Sequence, residues 1–217
     1  MSKTKIILVR HGQSIGNLTR RFLGHTDLDL SEQGYVQANA TAVALKNEKI
    51  DKIYSSDLIR AYNTAVPHSK MHNLPIICCE GLREAYVGEW EGLLFDEIVK
   101  KWGREVFENQ WHANFGRFVF PGGESIIDAG ERFYNEIIRI CIENEGKTIL
   151  ICAHAAVIRS FWGKISNISP DMLASSLLFP TNASYSICYY ENGKISPSDY
   201  SIDDHLREVG ITKFFLK

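Results

Sequence analysis

An arginine, a histidine and a glycine directly follow a short apolar run near the start of the chain. Residues 6–9 are continuously apolar, which predicts a buried strand, and Arg10, His11 and Gly12 come next. Ligands of open α/β sheets bind beyond the carboxyl ends of the strands. There an arginine can hold an anion, a histidine can attack it, and a glycine lets a phosphate approach the backbone closely.

A second apolar run also ends in a histidine. Residues 148–153 are predicted to form a buried strand, and His154 follows. If the two strands are parallel neighbours, His11 and His154 meet at one edge of the sheet. Arg60 lies one turn into a predicted helix and can reach the same edge. Positive groups placed so close together repel one another unless an anion lies between them. A phosphoryl group would offset this repulsion through charge-assisted hydrogen bonds.

The elements that must position these residues alternate between strands and helices. The predicted strands cover residues 5–9, 50–55, 75–79 and 148–153, with a terminal hairpin of residues 184–190 and 194–195. The predicted helices cover residues 31–46, a segment after Asp57, residues 125–144 and residues 155–162. This alternation predicts an α/β fold: a three-layer α/β/α sandwich with a mostly parallel central sheet.

Local signals set the expected helix ends. Ser31 and Ser125 are suited to cap the helices that follow them, because a serine hydroxyl accepts hydrogen bonds from the first free backbone N–H groups. Asp57 is expected to cap the helix that contains Arg60. Pro67 is expected to kink or end that same helix, because proline lacks the N–H that helical hydrogen bonding needs.

The composition fits one domain and argues against several classes of partner. The 217 residues are 45% hydrophobic with a net charge of −2, so we expect one domain over residues 1–217, without a nucleic-acid or anionic-membrane surface. No apolar run approaches the roughly 20 residues of a membrane span. Five cysteines without a CxxC pair predict reduced thiols in a cytoplasmic protein. The tail, residues 201–217, contains Phe214 and Phe215. We expect it to be either a strand at a subunit interface or a terminus packed on its own chain, so a homodimer is one of two alternatives.

The motifs together resemble the histidine phosphatase superfamily, also called phosphoglycerate mutase-like. The resemblance covers residues 4 to about 190 and is carried by six groups of residues. These are residues 8–14 with Asn17; Asp27, Leu30 and Gly34; residues 54–58 with Arg60, Ala61, Thr64 and Ala65; Leu82, Glu84, Gly88 and residues 90–92; residues 121–125; and His154 with residues 157–159. The chain departs from the pattern in one place. The family has His-Gly at the second histidine, and the alanine at position 155 would narrow the space beside a phosphate.

The resemblance implies a phosphohistidine mechanism at the Arg-His-Gly motif. His11 would be the nucleophile, and Glu84 would protonate the leaving alcohol and then activate water. The catalytic set would be completed by Arg10, Arg60 and His154. The residues that the resemblance implies for substrate binding are Arg10, Asn17, Arg60, His154, Ser14, Gly24 and Ala155. Neither a metal nor a cofactor is implied, because arginines can stabilise the charge of a transferred phosphoryl group.

The resemblance therefore indicates a metal-independent phosphatase of small phosphate monoesters. The alternative within the family is a 2,3-bisphosphoglycerate-dependent phosphoglycerate mutase. The run from Gly88 to Gly92 and the short stretch before Pro121 resemble the phosphatase branch more closely. The intact catalytic set argues against a binding module without chemistry. An esterase with Ser14 as nucleophile is disfavoured, because only one short strand precedes Gly12 and leaves no room for an oxyanion loop.

Residues 85–120 differ from the rest of the chain. Aromatic residues crowd together there, and strand periodicity disappears. We interpret this segment as a cap-like insertion over one end of the sheet, and additional core helices would explain the same pattern. We hypothesise that Arg104 and Arg117 contact the non-phosphate part of a phosphorylated metabolite.

Overall fold

A mixed six-stranded sheet lies at the centre of the computed structural model, which describes residues 3–212. The strands, in chain order, are β1 Thr4–Arg10, β2 Lys52–Ser55, β3 Ile76–Cys78, β4 Thr148–Ala153, β5 Tyr185–Glu191 and β6 Lys194–Ile202. Their order across the sheet is β3-β2-β4-β1-β5-β6. The first four strands are parallel, and β5 and β6 add an antiparallel hairpin at one edge. The prediction of a mostly parallel sheet is confirmed.

The helices of the described residues vary widely in length. They are α1 Ile15–Thr19, α2 Glu32–Ala44, α3 Ile59–His72, α4 Phe95–Trp102, α5 Ile126–Glu143, α6 Ala155–Ile165 and α7 Leu173–Ser176. Short 3-10 turns and a π-type turn, Val106–His112, connect them. Within residues 3–212, no helix has the length and apolar character needed to cross a bilayer. The five cysteines are unpaired.

Helices cover both faces of the sheet. Successive residues of a strand point to opposite faces, and β1 follows this rule. Ile6 and Leu8 belong to the large core that includes α5 and α6, whereas Ile7 and Val9 pack in a second cluster with Ala65 of α3. Helix α2 packs beside α3 on this second face. The prediction of a three-layer α/β/α arrangement is confirmed.

Two of the three predicted helix caps are confirmed. The Ser31 hydroxyl accepts from the Gly34 N–H at 3.1 Å, and Ser125 accepts from the Asp128 N–H at 3.0 Å. The Asp57 cap is wrong, because its carboxylate is held by a hydrogen-bonded ion pair with another side chain.

The start of α3 is capped instead from a distant loop. The Asp27 carboxylate accepts from the backbone N–H of Ile59 at 2.7 Å. Asp57 pairs with Arg83 at 2.8 Å, and this contact ties the start of α3 to the segment after β3. Helix α3 continues past Pro67 to His72, so the proline does not end it.

The hairpin turn is confirmed, but β6 is longer than residues 194–195. Asn192 and Gly193 both have positive φ angles, 52° and 77°, as a tight hairpin turn requires. β6 continues through Pro197 because an edge strand does not need every backbone N–H for pairing. Beyond β6, Gln37 of α2 donates to the Gly210 carbonyl at 2.9 Å, so this part of the tail is packed. Phe214 and Phe215 lie outside the described residues.

Residues 85–120 form an aromatic layer continuous with the core on the α5 and α6 face. Trp90 is fully buried and contacts several of the aromatic side chains in this layer, namely Phe22, Trp102, Phe107, Trp111, Phe118 and Phe120. Phe22 comes from the loop after α1 and shows that the layer also recruits residues from outside the segment. The segment thus packs against the core and borders the cleft described next.

Candidate active site

The carboxyl ends of the parallel strands bring the two predicted histidines together. Arg10, the last residue of β1, pairs in register with Ala153, the last residue of β4. His11 and His154 are the next residues along each chain segment, and their ring centroids lie 5.2 Å apart. The parallel pairing of β1 with β4 is therefore the direct cause of this histidine pair.

One nitrogen of the His11 ring is fixed by a backbone carbonyl. Nδ1 lies 2.7 Å from the carbonyl oxygen of Gly12, and because a carbonyl only accepts, Nδ1 carries the ring proton. Nε2 of the neutral ring then holds the lone pair. Burial, followed by the charges of Arg60 and Arg10, keeps the pKa of His11 well below 6.5. His11 lines a cleft, so it can present an unprotonated nitrogen to a ligand.

Two buried arginines line the same cleft as His11. Arg10 and Arg60 are each only 1% exposed. Burial lowers the pKa of Arg10 to about 10, opposed by the nearby Glu84 carboxylate. Burial also lowers the pKa of Arg60. Arg10 remains positively charged at neutral pH, and with Arg60 it gives the cleft the charge that an anion would neutralise.

The loop over residues 24–26 orients Arg60. The guanidinium donates to the Gly24 carbonyl at 2.8 Å and to the Thr26 carbonyl at 3.0 Å. The loop is itself held by Glu91, whose carboxylate accepts its backbone N–H groups at 2.7 to 3.2 Å. Gly24 therefore lies beside Arg60 and is not among the cleft-lining residues, and its role in substrate binding stays a prediction.

His154 lies beneath the cleft, at the start of α6. It is fully buried, and neither ring nitrogen has a hydrogen-bond partner among residues 3–212. Burial, followed by the charges of Arg60 and His11, lowers the pKa of His154 well below 6.5. The next residue, Ala155, lines the cleft directly. A neutral imidazole with unused nitrogens beside His11 can contribute a hydrogen bond to an anion.

Glu84 reaches the site from the segment after β3 and sits at the N-terminus of α6. Its Oε1 accepts from the backbone N–H groups of Ala85 at 3.0 Å and Val157 at 3.1 Å, and its Oε2 accepts from Ala156 at 3.0 Å. This is the position in which a carboxylate stabilises a helix N-terminus. The same carboxylate lines the cleft and is 8% exposed. Helix capping and a place in the site are thus combined in one side chain.

The two other glutamates near Glu84 in sequence lie elsewhere. Glu91 holds the loop over residues 24–26. Glu89 is exposed and pairs with Lys101 at 2.8 Å. Sequence position alone did not separate these three carboxylates, whereas the structure places only Glu84 of the three in the cleft lining.

A polar network supports the cleft beside His11. Ser14 caps α1 by accepting from the Asn17 N–H at 3.1 Å, and Asn17 Oδ1 accepts from the Ser14 N–H at 3.1 Å. Asn182 donates to Asn17 Oδ1 at 3.0 Å and to the His11 carbonyl at 3.2 Å. Ser14 and Asn17 both line the cleft, as predicted for substrate-binding residues. The Ser14 hydroxyl is engaged in this cap.

Gly12 allows close packing against a helix. A Cβ atom at position 12 would lie 2.4 Å from the backbone oxygen of Gly34 in α2. Gly12 does not belong to the cleft lining. The missing side chain therefore lets the end of β1 and α2 approach closely, and the expectation that Gly12 admits a phosphate stays a prediction.

Comparison with known proteins decides the family. Residues 6–203 match the family model of the histidine phosphatase superfamily, branch 1. The chain belongs to the histidine phosphatase superfamily. The match spans the four parallel strand ends and every residue of the proposed site.

Relatives of this histidine phosphatase include phosphatases and a mutase. Phosphoserine phosphatase 1 of Hydrogenobacter thermophilus is 30% identical over 94% of this chain and 95% of that protein. The 2,3-bisphosphoglycerate-dependent phosphoglycerate mutase 2 of Gloeobacter violaceus is 34% identical over 77% of this chain and 78% of that protein. The solved structure of Entamoeba histolytica phosphoserine phosphatase with 3-phosphoglyceric acid is 29% identical, with a TM-score of 0.78 over 94% of this chain and 99% of that one. Family and relatives support a phosphoric monoester hydrolase.

Sequence reasoning missed several residues of the histidine phosphatase cleft. Its lining also includes Arg21, Phe22, Leu23, Val87, Trp111, Phe120 and Phe179. The crowding of aromatic residues in 85–120 signalled part of this set. No local pattern pointed to Phe22 or Phe179, which enter from a loop after α1 and from the approach to β5. Asn182, which is hydrogen-bonded to Asn17 and to the His11 carbonyl, was not predicted from the sequence either.

The hypothesis for Arg104 and Arg117 is not supported by their positions. Arg104 is exposed and pairs with Glu108 at 2.8 Å, and Arg117 pairs with Asp171 at 2.5 Å. Neither arginine lines the cleft. Each arginine forms an ion pair with a carboxylate at the surface, so neither contributes to the lining of the cleft.

Proposed function

We propose that this histidine phosphatase hydrolyses small phosphate monoesters without a metal, through a phosphohistidine at His11. The observation that carries the proposal is the fixed tautomer of His11 between two buried arginines. The Gly12 carbonyl holds the proton on Nδ1, which leaves Nε2 to attack phosphorus. Arg10 and Arg60 supply the positive charge that phosphoryl transfer needs, in a site shielded from water.

The reaction takes place in two displacements. In the first, a bond forms between His11 Nε2 and phosphorus while the bond from phosphorus to the alcohol oxygen breaks. Glu84, which carries a proton once the phosphate dianion is bound, gives that proton to the alcohol oxygen. In the second, Glu84 takes a proton from water, the water oxygen attacks phosphorus, and the bond to His11 breaks. Inorganic phosphate leaves, and both side chains return to their initial states.

The remaining site residues bind the phosphoryl oxygens. Arg10, Arg60 and His154 surround His11 and can donate to these oxygens as charge builds up on them. Asn17 assists from the mouth of the cleft, and Ala155 borders it. The unused nitrogens of buried His154 support this assignment, because a bound phosphoryl group would supply the missing partner.

The second candidate function is a 2,3-bisphosphoglycerate-dependent mutase, which the relative from Gloeobacter violaceus favours. A mutase would use the same His11 chemistry but return the phosphoryl group to a retained monophosphate instead of passing it to water. The two functions therefore differ in the acceptor and not in the nucleophile.

Phosphate release from a panel of monoesters, with EDTA present, tests the proposal. The panel includes phosphoserine and 3-phosphoglycerate, the latter with and without 2,3-bisphosphoglycerate. We expect steady phosphate release by the wild type and none by His11→Ala. Isomerisation of 3-phosphoglycerate without net phosphate release would assign the mutase function, and activity that EDTA abolishes would contradict metal independence.

A further inference from the structure

One side of the cleft is apolar and takes no part in the proposed phosphoryl chemistry. Four aromatic side chains form it, and we call them the aromatic wall: Phe22, Trp111, Phe120 and Phe179. They face the same space as Arg10, His11 and Arg60. The alcohol part of a monoester bound at His11 would extend along this wall.

The aromatic wall is one packed unit with Trp111 at its centre. The Trp111 ring lies 5.7 Å from Phe22, 5.2 Å from Phe120 and 6.1 Å from Phe179, measured between centroids. These separations are those of favourable aromatic pairs. The wall is therefore one packed cluster of rings that borders the cleft, rather than a set of isolated apolar side chains.

Arg159 fixes the part of the wall that comes from outside the aromatic layer. Its guanidinium carbon lies 4.2 Å from the Phe179 ring centroid and 4.4 Å from that of Phe115. Its Nε donates to the Leu177 carbonyl at 2.7 Å, and Arg10 donates to the Pro180 carbonyl at 2.5 Å. Phe179 lies between these two anchored carbonyls. A wall held in place before binding loses little freedom when a ligand packs against it.

The cleft holds few cations for a second anionic group on the substrate. Among the cleft-lining residues that the structure describes, the arginines are Arg10, Arg21 and Arg60. Arg10 and Arg60 flank His11, and Arg21 already donates to the Gly92 carbonyl at 2.7 Å. A carboxylate beside the phosphate would have Arg21 as the remaining cation, and elsewhere along the wall it would meet apolar rings, which do not replace its hydration.

We propose that the aromatic wall selects monoesters whose alcohol carries an apolar ring over those with short or carboxylate-bearing alcohols. This inference rests on the proposed phosphatase function and assigns its specificity. Phe22, Trp111, Phe120 and Phe179 are the specificity-determining residues, and Arg159 is a positioning residue that acts through Phe179. Burial of the substrate's apolar ring against the aromatic wall supplies the selectivity for these monoesters.

The test compares benzyl phosphate with ethyl phosphate and phosphoserine. Benzyl and ethyl phosphate are both esters of primary alcohols, so they differ mainly in the ring. We expect kcat/KM of the wild type to be at least about tenfold higher for benzyl phosphate than for ethyl phosphate or phosphoserine. Phe179→Ala should reduce this ratio severalfold, and the milder Phe179→Leu should reduce it less.

Phe95→Ala is the matched control. Phe95 is also a half-buried phenylalanine packed against the main core, but it does not line the cleft, so its removal should leave the ratio unchanged. Activity towards ethyl phosphate shows in the same assay that each variant is folded.

The outcomes separate the specificity from the function. If ethyl phosphate is hydrolysed in a His11-dependent manner but benzyl phosphate is no better a substrate, the wall proposal is wrong and the proposed function stands. An equal loss of the ratio in Phe95→Ala and Phe179→Ala would also overturn the assignment to the wall. If the wild type hydrolyses none of the monoesters, both proposals fail.

Discussion

At the residue scale, the site combines two buried arginines and two histidines with the Glu84 carboxylate. Arg10 and Arg60 are almost completely buried, and Glu84 is the carboxylate that opposes the effect of burial on both. His11 and His154 remain neutral because burial, followed by the nearby arginine charges, lowers the pKa of both rings. The arrangement is therefore suited to receive a dianion while keeping a nucleophilic nitrogen free of a proton.

Glu84 should matter in proportion to how poorly the alcohol leaves. In Glu84→Gln the side chain keeps its shape but cannot give a proton, so we expect kcat for ethyl phosphate to fall about 10²–10⁴-fold. Phosphorylation of His11 by p-nitrophenyl phosphate needs little proton donation, so the burst of p-nitrophenol in pre-steady-state measurements should be affected less.

The control for this variant is Glu89→Gln, at an exposed carboxylate in the same segment. It should behave as the wild type with both substrates. An equal loss of the ethyl phosphate and p-nitrophenyl phosphate reactions in Glu84→Gln would show that Glu84 acts through the start of α6 and not as a proton donor.

At the element scale, the site is a product of strand register and close packing. Arg10 and Ala153 are paired across β1 and β4, so the two residues after them are neighbours. Gly12 then turns the chain away against Gly34 of α2. A shift of this short segment would move His11 relative to the arginines.

Gly12→Ala should destabilise the fold through this packing. The added methyl group meets the Gly34 backbone, which cannot rotate away, so we expect the free energy of unfolding to fall by about 1–3 kcal/mol in urea denaturation. Gly16→Ala is the comparison, because there the methyl group meets only the Leu23 side chain, which can move. Equal costs for the two variants would contradict the explanation.

The sequence was informative where chemistry follows strand ends. The two histidines and Arg60 were brought together by predicted parallel strands, whereas the choice of Glu84 required the family resemblance. Asn182 was missed because it precedes an antiparallel strand. Because β5 runs antiparallel to β1, its first residues lie at the edge of the sheet where the parallel strands end. The prediction for Asp57 was wrong for a different reason. An aspartate before a helix is typical of a cap, but the Asp57 carboxylate forms an ion pair with Arg83, which is distant in sequence.

At the scale of the whole molecule, three buried histidines link stability to pH. His11, His68 and His154 are buried, and burial is the main cause that lowers the pKa of each, to about 3 for His68. In the unfolded chain these rings have pKa values near 6.5. Below that pH the unfolded chain binds protons that the folded chain excludes, so stability falls as the pH falls.

His68 gives the cleanest test, because it lies away from the cleft. Each such histidine adds a slope of up to about 1.4 kcal/mol per pH unit to the free energy of unfolding below pH 6.5. Urea denaturation between pH 7.5 and 5.0 should show a smaller decrease in His68→Leu than in the wild type. The same measurement on His112→Leu, at an exposed histidine, is the control. An unchanged pH dependence in His68→Leu would show that His68 is not the source.

The central claim is that the phosphoryl group passes through His11, and direct trapping of the phosphoenzyme tests it. The enzyme is mixed briefly with a ³²P-labelled monoester, quenched under alkaline conditions that preserve phosphohistidine, and digested for peptide mapping. We predict label on the peptide that contains His11, its loss when unlabelled substrate is added before the quench, and none in His11→Ala. Label on another residue, or phosphate release at the wild-type rate by His11→Ala, would contradict the mechanism.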